Sequence, residues 1–246
     1  MAISKNGEAD TCTASSTRAQ RMRPPFWQHD AYTLTQLANA VAAAATSIEP
    51  PIGSDRLVLD FGAGDAPYRP LFDTPGTTYI ESDIDAQSAL RIVPGTPLAL
   101  ADASVQTVLS FQVLEHVWDL DWYLGEAHRV LAADGALVLS THGTWLYHPH
   151  PTDFRRWTRD GLLEELRTRG FTALQVVALI GPLAWTTQFR AIGYSHLLNR
   201  LPLIGRGLAV LSNIIMHLRM KVEDAITPQN WIDTNASVYL VIARKS

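Results

Sequence analysis

Apolar residues in this chain come in short, nearly unbroken runs separated by segments of mixed polarity. RLVLDF (56–61), TTYIESDI (77–84), VQTVLSFQV (105–113), GALVLSTH (135–142), FTALQVVALI (171–180) and ASVYLVIAR (236–244) read as strands. Between them the spacing turns helical. Leu34, Leu37, Val41 and Ala45 share one face of a helix predicted over residues 27–48, which Pro50-Pro51 ends. Further helices are predicted from Trp122 to Ala132 and from a Thr158 cap to Thr168. Strands that are apolar on both faces and alternate with helices imply an α/β fold, with a mostly parallel sheet covered on both sides.

Residues 182–232 exceed what a connection between the last two strands needs, and are predicted to form a helical insertion. Within it Ile204, Leu208, Leu211, Ile215, Leu218 and Val222 recur at spacings of four and three, one face of a helix. Residues 166–222 carry seven Arg or Lys and no Asp or Glu. Two readings fit: the stripe packs over the sheet with its cations solvated, or the insertion is a lid whose basic surface meets an anionic membrane or a phosphate-bearing lipid. Residues 1–25, rich in Ser, Thr, Ala and Arg without apolar periodicity, are predicted to be a disordered tail, leaving 26–246 as the folded domain.

Composition narrows the class. With 246 residues, 47% hydrophobic and 18% charged, the chain can bury a large core. A net charge of −4 argues against a nucleic-acid partner. The single cysteine, Cys12, excludes an intrachain disulfide and a zinc–thiolate cluster. No secretory signal is read, and the longest uncharged run, 171–189, is broken by Gln175, Gly181-Pro182 and Gln188. Roughly 20 continuous apolar residues are needed to span a bilayer. The expectation is a soluble, cytoplasmic chain.

The first candidate chemistry follows the first strand. Gly62 and Gly64 allow a tight turn and a close ligand approach where open α/β sheets bind their ligands. Asp83 ends the next strand, nineteen residues after Gly64, where a carboxylate accepts both hydroxyls of a ribose. A dinucleotide site also requires a third glycine and a long helix facing the pyrophosphate. Here Pro67 and Pro70 occupy that stretch, which suits a ligand with a ribose and no phosphate.

VLDFGAGDAPYRPLF, YIESDID, DASVQTVLSFQVLEHV, EAHRVLAADGALVLSTHG and HPHPTDFRRWTRDGLLEELRTRGF occur in order. Together they resemble the successive motifs of the class I S-adenosylmethionine-dependent methyltransferases, in the broad methyltransferase type 11 group, over about residues 55–173. The resemblance implies a Rossmann-like seven-stranded sheet, mostly parallel with an antiparallel last strand, helices on both faces, and S-adenosylmethionine as cofactor. By position it makes Asp60, Phe61, Gly62, Ala63 and Gly64 the turn around the methionine moiety. Asp83 would hold the ribose, Ile84 would pack on the adenine, and Phe111, Gln112 and Val113 would line the cofactor near its sulfonium. The chain departs from the family at the third glycine (Asp65 or Ala66) and at the adenine-binding acid, where Pro94 stands. That leaves adenine recognition to backbone or to Asp102.

The segment STHGTWLYHPHPTDFRRWT leaves the strand GALVLSTH at the same edge. A hydroxyl acceptor needs a base, and histidine with carboxylate help is the best placed at neutral pH. His142, His148, His150 and Asp153 are the candidates, with Trp145, Tyr147, Phe154 and Trp157 as walls for a ring or acyl chain. A metal held by His148, His150 and Asp153 lacks a close spacing, and no metal is expected. Glu115 and His116 are read as structural; Trp118, Asp119, Asp121 and Trp122 are read as bordering the site. The reaction expected is methyl transfer to a small-molecule, sugar or lipid-linked acceptor, with peripheral contact to an anionic membrane. A non-catalytic cofactor-binding or scaffold subunit is the alternative.

Overall fold

The computed structural model describes residues 20–48, 56–85, 87–149 and 152–246. Seven strands form one sheet: β1 (Arg56–Phe61), β2 (Thr77–Asp83), β3 (Leu90–Arg91), β4 (Val105–Phe111), β5 (Leu131–His142), β6 (Phe171–Leu179) and β7 (Val238–Lys245). Their order is β3-β2-β1-β4-β5-β7-β6. β7 runs antiparallel to both its neighbours, and the other six strands share one direction. The order reverses between β1 and β4, so the carboxyl ends of these two strands flank a crevice.

Both faces are covered. Leu59, Phe61, Val108, Leu137 and Leu139 pack against α3 (Leu120–Val130) and α4 (Arg159–Thr168) through Tyr123, Leu124, Leu162 and Leu166. Val58, Leu109, Val138 and Leu240 pack on the opposite face against α1 (Ala31–Ser47) and α2 (Arg69–Phe72), through Leu37, Val41 and Phe72. Asp119 caps α3 by accepting from Trp122 N–H (3.0 Å), and Thr158 caps α4 by accepting from Gly161 N–H (3.1 Å). α2 is only four residues long and has Pro70 in its first turn, so no long helix follows the glycine turn.

Several boundaries move from those predicted. β3, only two residues, was not predicted. Leu131 pairs with Val105 ahead of a bulge, so β5 begins four residues before Gly135 and α3 stops at Val130. α1 starts at Ala31 because Pro25 O accepts from Gln28 N–H (2.8 Å) in a preceding turn. Of the predicted tail, residues 1–19 lie outside the described residues. Arg21 reaches Asp65 (3.3 Å), and Met22 packs beside α1.

The insertion is helical: α5 (Pro182–Leu198), α6 (Gly205–Ile226) and α7 (Gln229–Thr234). α6 does not lay its apolar stripe on the sheet. The residues it buries are Gly205, Ala209, Asn213, His217 and Met220, on the opposite side of the helix.

Candidate functional site

The glycine turn leaves β1 with its backbone fixed from β2. Ser82 O accepts from both Gly62 N–H and Ala63 N–H, each at 2.9 Å. Gly62 has φ +85° and lies under Val113, whose side chain would clash with a Cβ there. Gly64 has φ +54° with open space where a Cβ would stand. One Asp83 oxygen accepts from Gly64 N–H (2.8 Å) and the other from Asp85 N–H (3.2 Å), which aims the carboxylate while leaving further lone pairs on both oxygens.

Beneath the turn, Phe61 stacks on Tyr123 (4.1 Å) and is fully buried, so only its backbone reaches the site. The Tyr123 hydroxyl donates to Phe61 O (2.7 Å) and pairs with Ser110 Oγ (2.9 Å). The Asp60 carboxylate accepts from the Tyr79 hydroxyl (2.6 Å); burial, then this negative neighbour, holds the phenol far above its ordinary pKa and so in the donor form. Ile84 is 50% exposed, unusual for a large aliphatic side chain at a strand end and suited to an adenine face. Phe111 is held between Tyr68 (5.0 Å) and Phe72 (6.1 Å).

Gln112 is a strained residue, with φ +57° directly after β4. Its N–H donates to Ser140 O (2.8 Å) and its Nε2 to Ser140 Oγ (3.0 Å), while Oε1 is buried with no hydrogen-bond partner among the described residues. A braced carboxylate at ribose spacing, an open glycine, an exposed isoleucine and an orphaned buried acceptor fit a nucleoside carrying an amino-acid tail. Asp102, the alternative for the adenine, does not join them. It lies before β4, at the opposite edge of the sheet, paired to Arg129 at 2.5 Å.

The acceptor segment starts where β5 ends. Gly143 passes so close to Ala236 O that a Cβ would not fit, and its N–H donates to Ser237 O (2.8 Å). His142 is buried and stacks on Trp145 (centroids 5.0 Å, 7° between planes). Its Nε2 lies 3.5 Å from Glu115 Oε1, and burial drives its pKa well down. His148 stands edge-on to both His142 and His116, 5.0 Å from each. Its Nδ1 lies 3.3 Å from Leu146 O and 3.4 Å from Asp153 Oδ2. A proton on Nδ1 satisfies both and leaves Nε2 with the basic lone pair.

Asp153 is held by Arg156, with contacts of 2.5 and 2.6 Å, and accepts from His148 N–H (3.0 Å). The Arg156 guanidinium keeps its carboxyl far below the usual carboxylate range. It therefore positions the loop and His148, and its basic lone pairs are occupied. His150 lies outside the described residues. Of the bordering residues, Asp119 is the α3 cap and Asp121 pairs with Arg169 (2.6 Å).

Residues 27–197 match the model of a methyltransferase domain family. The chain belongs to that family, the class I S-adenosylmethionine-dependent methyltransferases. It is similar to a probable S-adenosylmethionine-dependent methyltransferase of Mycolicibacterium smegmatis, with 38% identity over 80 residues, covering 30% of this chain and 31% of that one. A probable S-adenosylmethionine-dependent methyltransferase of Mycobacterium tuberculosis is 30% identical over 145 residues, covering 52% of this chain and 53% of that one. The chain thus spans about half or less of the length of these curated relatives. Among solved structures, the [4+2]-cyclase SpnF superposes with a TM-score of 0.54 at 16% identity, over 86% of this chain and 82% of that one, which shows the shared fold.

In this methyltransferase Glu115, read from the sequence as structural, proves to be a central brace of the site. It sits in a 3-10 turn (Leu114–His116) directly after β4, is fully buried, and accepts from Thr141 Oγ1 (2.8 Å). The same turn ties down the acceptor loop, with Glu115 O accepting from Phe154 N–H (2.8 Å) and His116 Nδ1 lying 2.7 Å from Thr152 O. The available signal was an acid–histidine pair immediately beyond a strand's carboxyl end. Glu115, His142 and His148 each bring one ligand-type atom within 4.8 Å of the others. That donor set is of a kind that holds transition metals, and it differs from the set weighed from sequence.

Burial pushes the Glu115 carboxyl up to about 7 from 4.5. Because the folded value is raised, the associated stability is fully present below pH 4.5 and is lost as pH rises through about 7. The loss amounts to roughly 3 kcal/mol by linkage. Glu115→Gln keeps the shape and an acceptor for Thr141 without ionising. It should therefore be more stable than the natural chain at pH 8, by about 2–3 kcal/mol, and near parity at pH 4.5. Urea denaturation at the two pH values measures this, and equal midpoints at pH 8 would contradict a raised carboxyl.

Proposed function

We propose that this chain transfers the methyl group of S-adenosylmethionine to a hydroxyl of a small-molecule, sugar or lipid-linked acceptor, with His148 taking the acceptor's proton. The observation that supports this most is the His148 environment beside the cofactor crevice. The ring is only part-buried, its Nδ1 faces Leu146 O and Asp153, and burial holds its pKa below the ordinary value, so it stays neutral near pH 7. The relatives' printed names supply the reaction type.

When bound, S-adenosylmethionine supplies an electrophilic methyl group on a sulfonium. Asp83 would hold its ribose and Ile84 would cover its adenine. Gln112 Oε1 would accept from its ammonium, and the Gly62–Gly64 turn would make room for its methionine backbone. His148 Nε2 would take the hydroxyl proton of an acceptor oxygen brought to that methyl group. His142 and Glu115 sit behind His148 and fix its plane. Trp145, with Phe189 of α5 at 5.9 Å, supplies an aromatic wall for the acceptor. The same reading places the enzyme in the cytoplasm, at the periphery of the membrane where its acceptor is lipid-linked; no helix among the described residues is long and apolar enough to cross one.

Incubation with methyl-labelled S-adenosylmethionine and fractionated small-molecule and lipid extracts tests the proposal. Label should appear in a product as an ether methyl, with matching release of S-adenosylhomocysteine. Label on nitrogen alone overturns the acceptor class. Cofactor binding without transfer from any fraction overturns catalysis and favours a binding subunit.

A further inference from the structure

The α5–α6 hairpin turns its polar side inward. Asn213 Oδ1 accepts from Ser195 Oγ (2.7 Å) and its Nδ2 donates to Trp27 O (3.1 Å). Asp224 accepts from the Tyr32 hydroxyl (2.8 Å) and from Gly181 N–H (2.7 Å). These bonds, with Ala209 and Met220 packed beneath, set the rotation of α6 and leave its apolar stripe facing out. Leu211, Ile215, Leu218 and Val222 are 54–60% exposed along successive turns. Contiguous apolar surface of this kind marks an interaction site.

The stripe runs into the tip of the hairpin, where Leu201, Leu203 and Ile204 are all exposed. Leu203 shows its entire side chain to solvent, at φ +67°. A left-handed conformation is costly for a leucine, and here it holds the side chain away from the body. Arg200 and Arg206 flank the tip, Arg219 and Lys221 lie near the far end of the stripe, and the nearest acidic residue in sequence is Glu223. Arg219 meets Glu223 at 2.7 Å, leaving Arg200, Arg206 and Lys221 without an acidic partner among the described residues.

We infer that this hairpin docks the protein onto an anionic lipid bilayer: Leu201, Leu203 and Ile204 enter the acyl boundary, and the flanking cations meet headgroup phosphates. A protruding apolar tip within a basic collar suits a deformable, negatively charged surface. A second copy of the chain suits it poorly, because a two-fold contact through the stripe would set cations of one copy against cations of the other. The attachment is rigid on the protein side, since Phe189 of α5 packs on Trp145, which stacks on His142. Docking does not depend on the methyl-transfer reading and stands or falls separately from it.

The test is flotation of the full chain with phosphatidylcholine vesicles, with or without roughly a third phosphatidylglycerol. Binding should require the anionic lipid and weaken with salt. A cation near such a surface strengthens binding by about fivefold, so Arg200→Gln with Arg206→Gln should weaken it on the order of 30-fold. Leu203→Asp should weaken it by at least roughly tenfold. Leu203 is fully exposed among the described residues, so this variant should keep its melting temperature and its S-adenosylhomocysteine affinity. Failure to float with anionic vesicles at low salt overturns the inference, as does flotation unchanged in both variants. A dimer that Leu211→Asp dissolves, with no vesicle binding, would assign the stripe to a second copy and overturn it too.

Discussion

Replacing His148 by alanine should lower turnover about 10²- to 10⁴-fold, the usual contribution of a positioned general base, with little change in S-adenosylhomocysteine affinity. The ring is braced from three sides. Asp153 and Leu146 O face Nδ1, His142 and His116 meet it edge-on, and Arg156 holds Asp153 in place. Burial depresses the His148 pKa, so the neutral ring is the resting form and, on the proposed mechanism, the working form. Turnover should then fall as pH drops through a value below 6.5 and stay flat above neutrality, and the alanine variant should lose that acid limb. Asp153→Asn should cost less, since Asp153 acts through orientation, and it should shift the limb to lower pH by removing a negative neighbour. Full turnover in His148→Ala on the true acceptor would remove His148 from the mechanism and leave His150, or no base at all. Arg156 also neighbours the ring, with its NH2 3.5 Å from Nδ1, and its fixed positive charge adds to the depression of the His148 pKa.

Asp83→Ala should weaken S-adenosylmethionine binding about 30- to 150-fold, the loss of roughly 2–3 kcal/mol expected for a charge-assisted bidentate contact. The ribose hydroxyls lose their acceptor, and Gly64 N–H loses the oxygen that fixes the turn. Asp83→Asn retains one acceptor oxygen and should recover part of the affinity. Calorimetry reads both variants directly. An unchanged dissociation constant for Asp83→Ala would move the ribose elsewhere, while a loss equal for cofactor and free adenosine would place the whole effect at the nucleoside.

The glycine turn and Asp83 were legible as a candidate cofactor site because their chemistry is local. Gly62, Gly64 and Asp83 follow strands whose apolar runs are continuous, and each needs only its own strand end to have meaning. The acceptor half was not. Nothing in the sequence separates His142 from His148; burial under Trp145 does so, together with a carboxylate contributed 27 residues earlier by Glu115. Asp102 precedes the strand read over 105–113 and so belongs to the amino edge; what the sequence did not show is that Arg129 holds it there. β3 escaped because its two residues pair with Ser82 and Asp83 without a period of their own. In α6 the stripe was legible and its direction was not. An amphipathic pattern states that one face differs from the other; which face turns inward was decided by long-range partners such as Tyr32 and Asp224.

The place of β7 bears on how the molecule is made. It is the last strand in the chain, yet it lies inside the sheet, with β5 on one side and β6 on the other, bonded to both along most of its length. A chain growing from its amino end can pair β1, β2 and β4 with β5 early, but β6 has no partner until residues 238–245 emerge. Until then the edges of β5 and β6 stand open, and each can take a strand from a neighbouring chain. Closing the sheet therefore waits for residues 238–245, and that late pairing is also the one that protects the nascent protein from its neighbours.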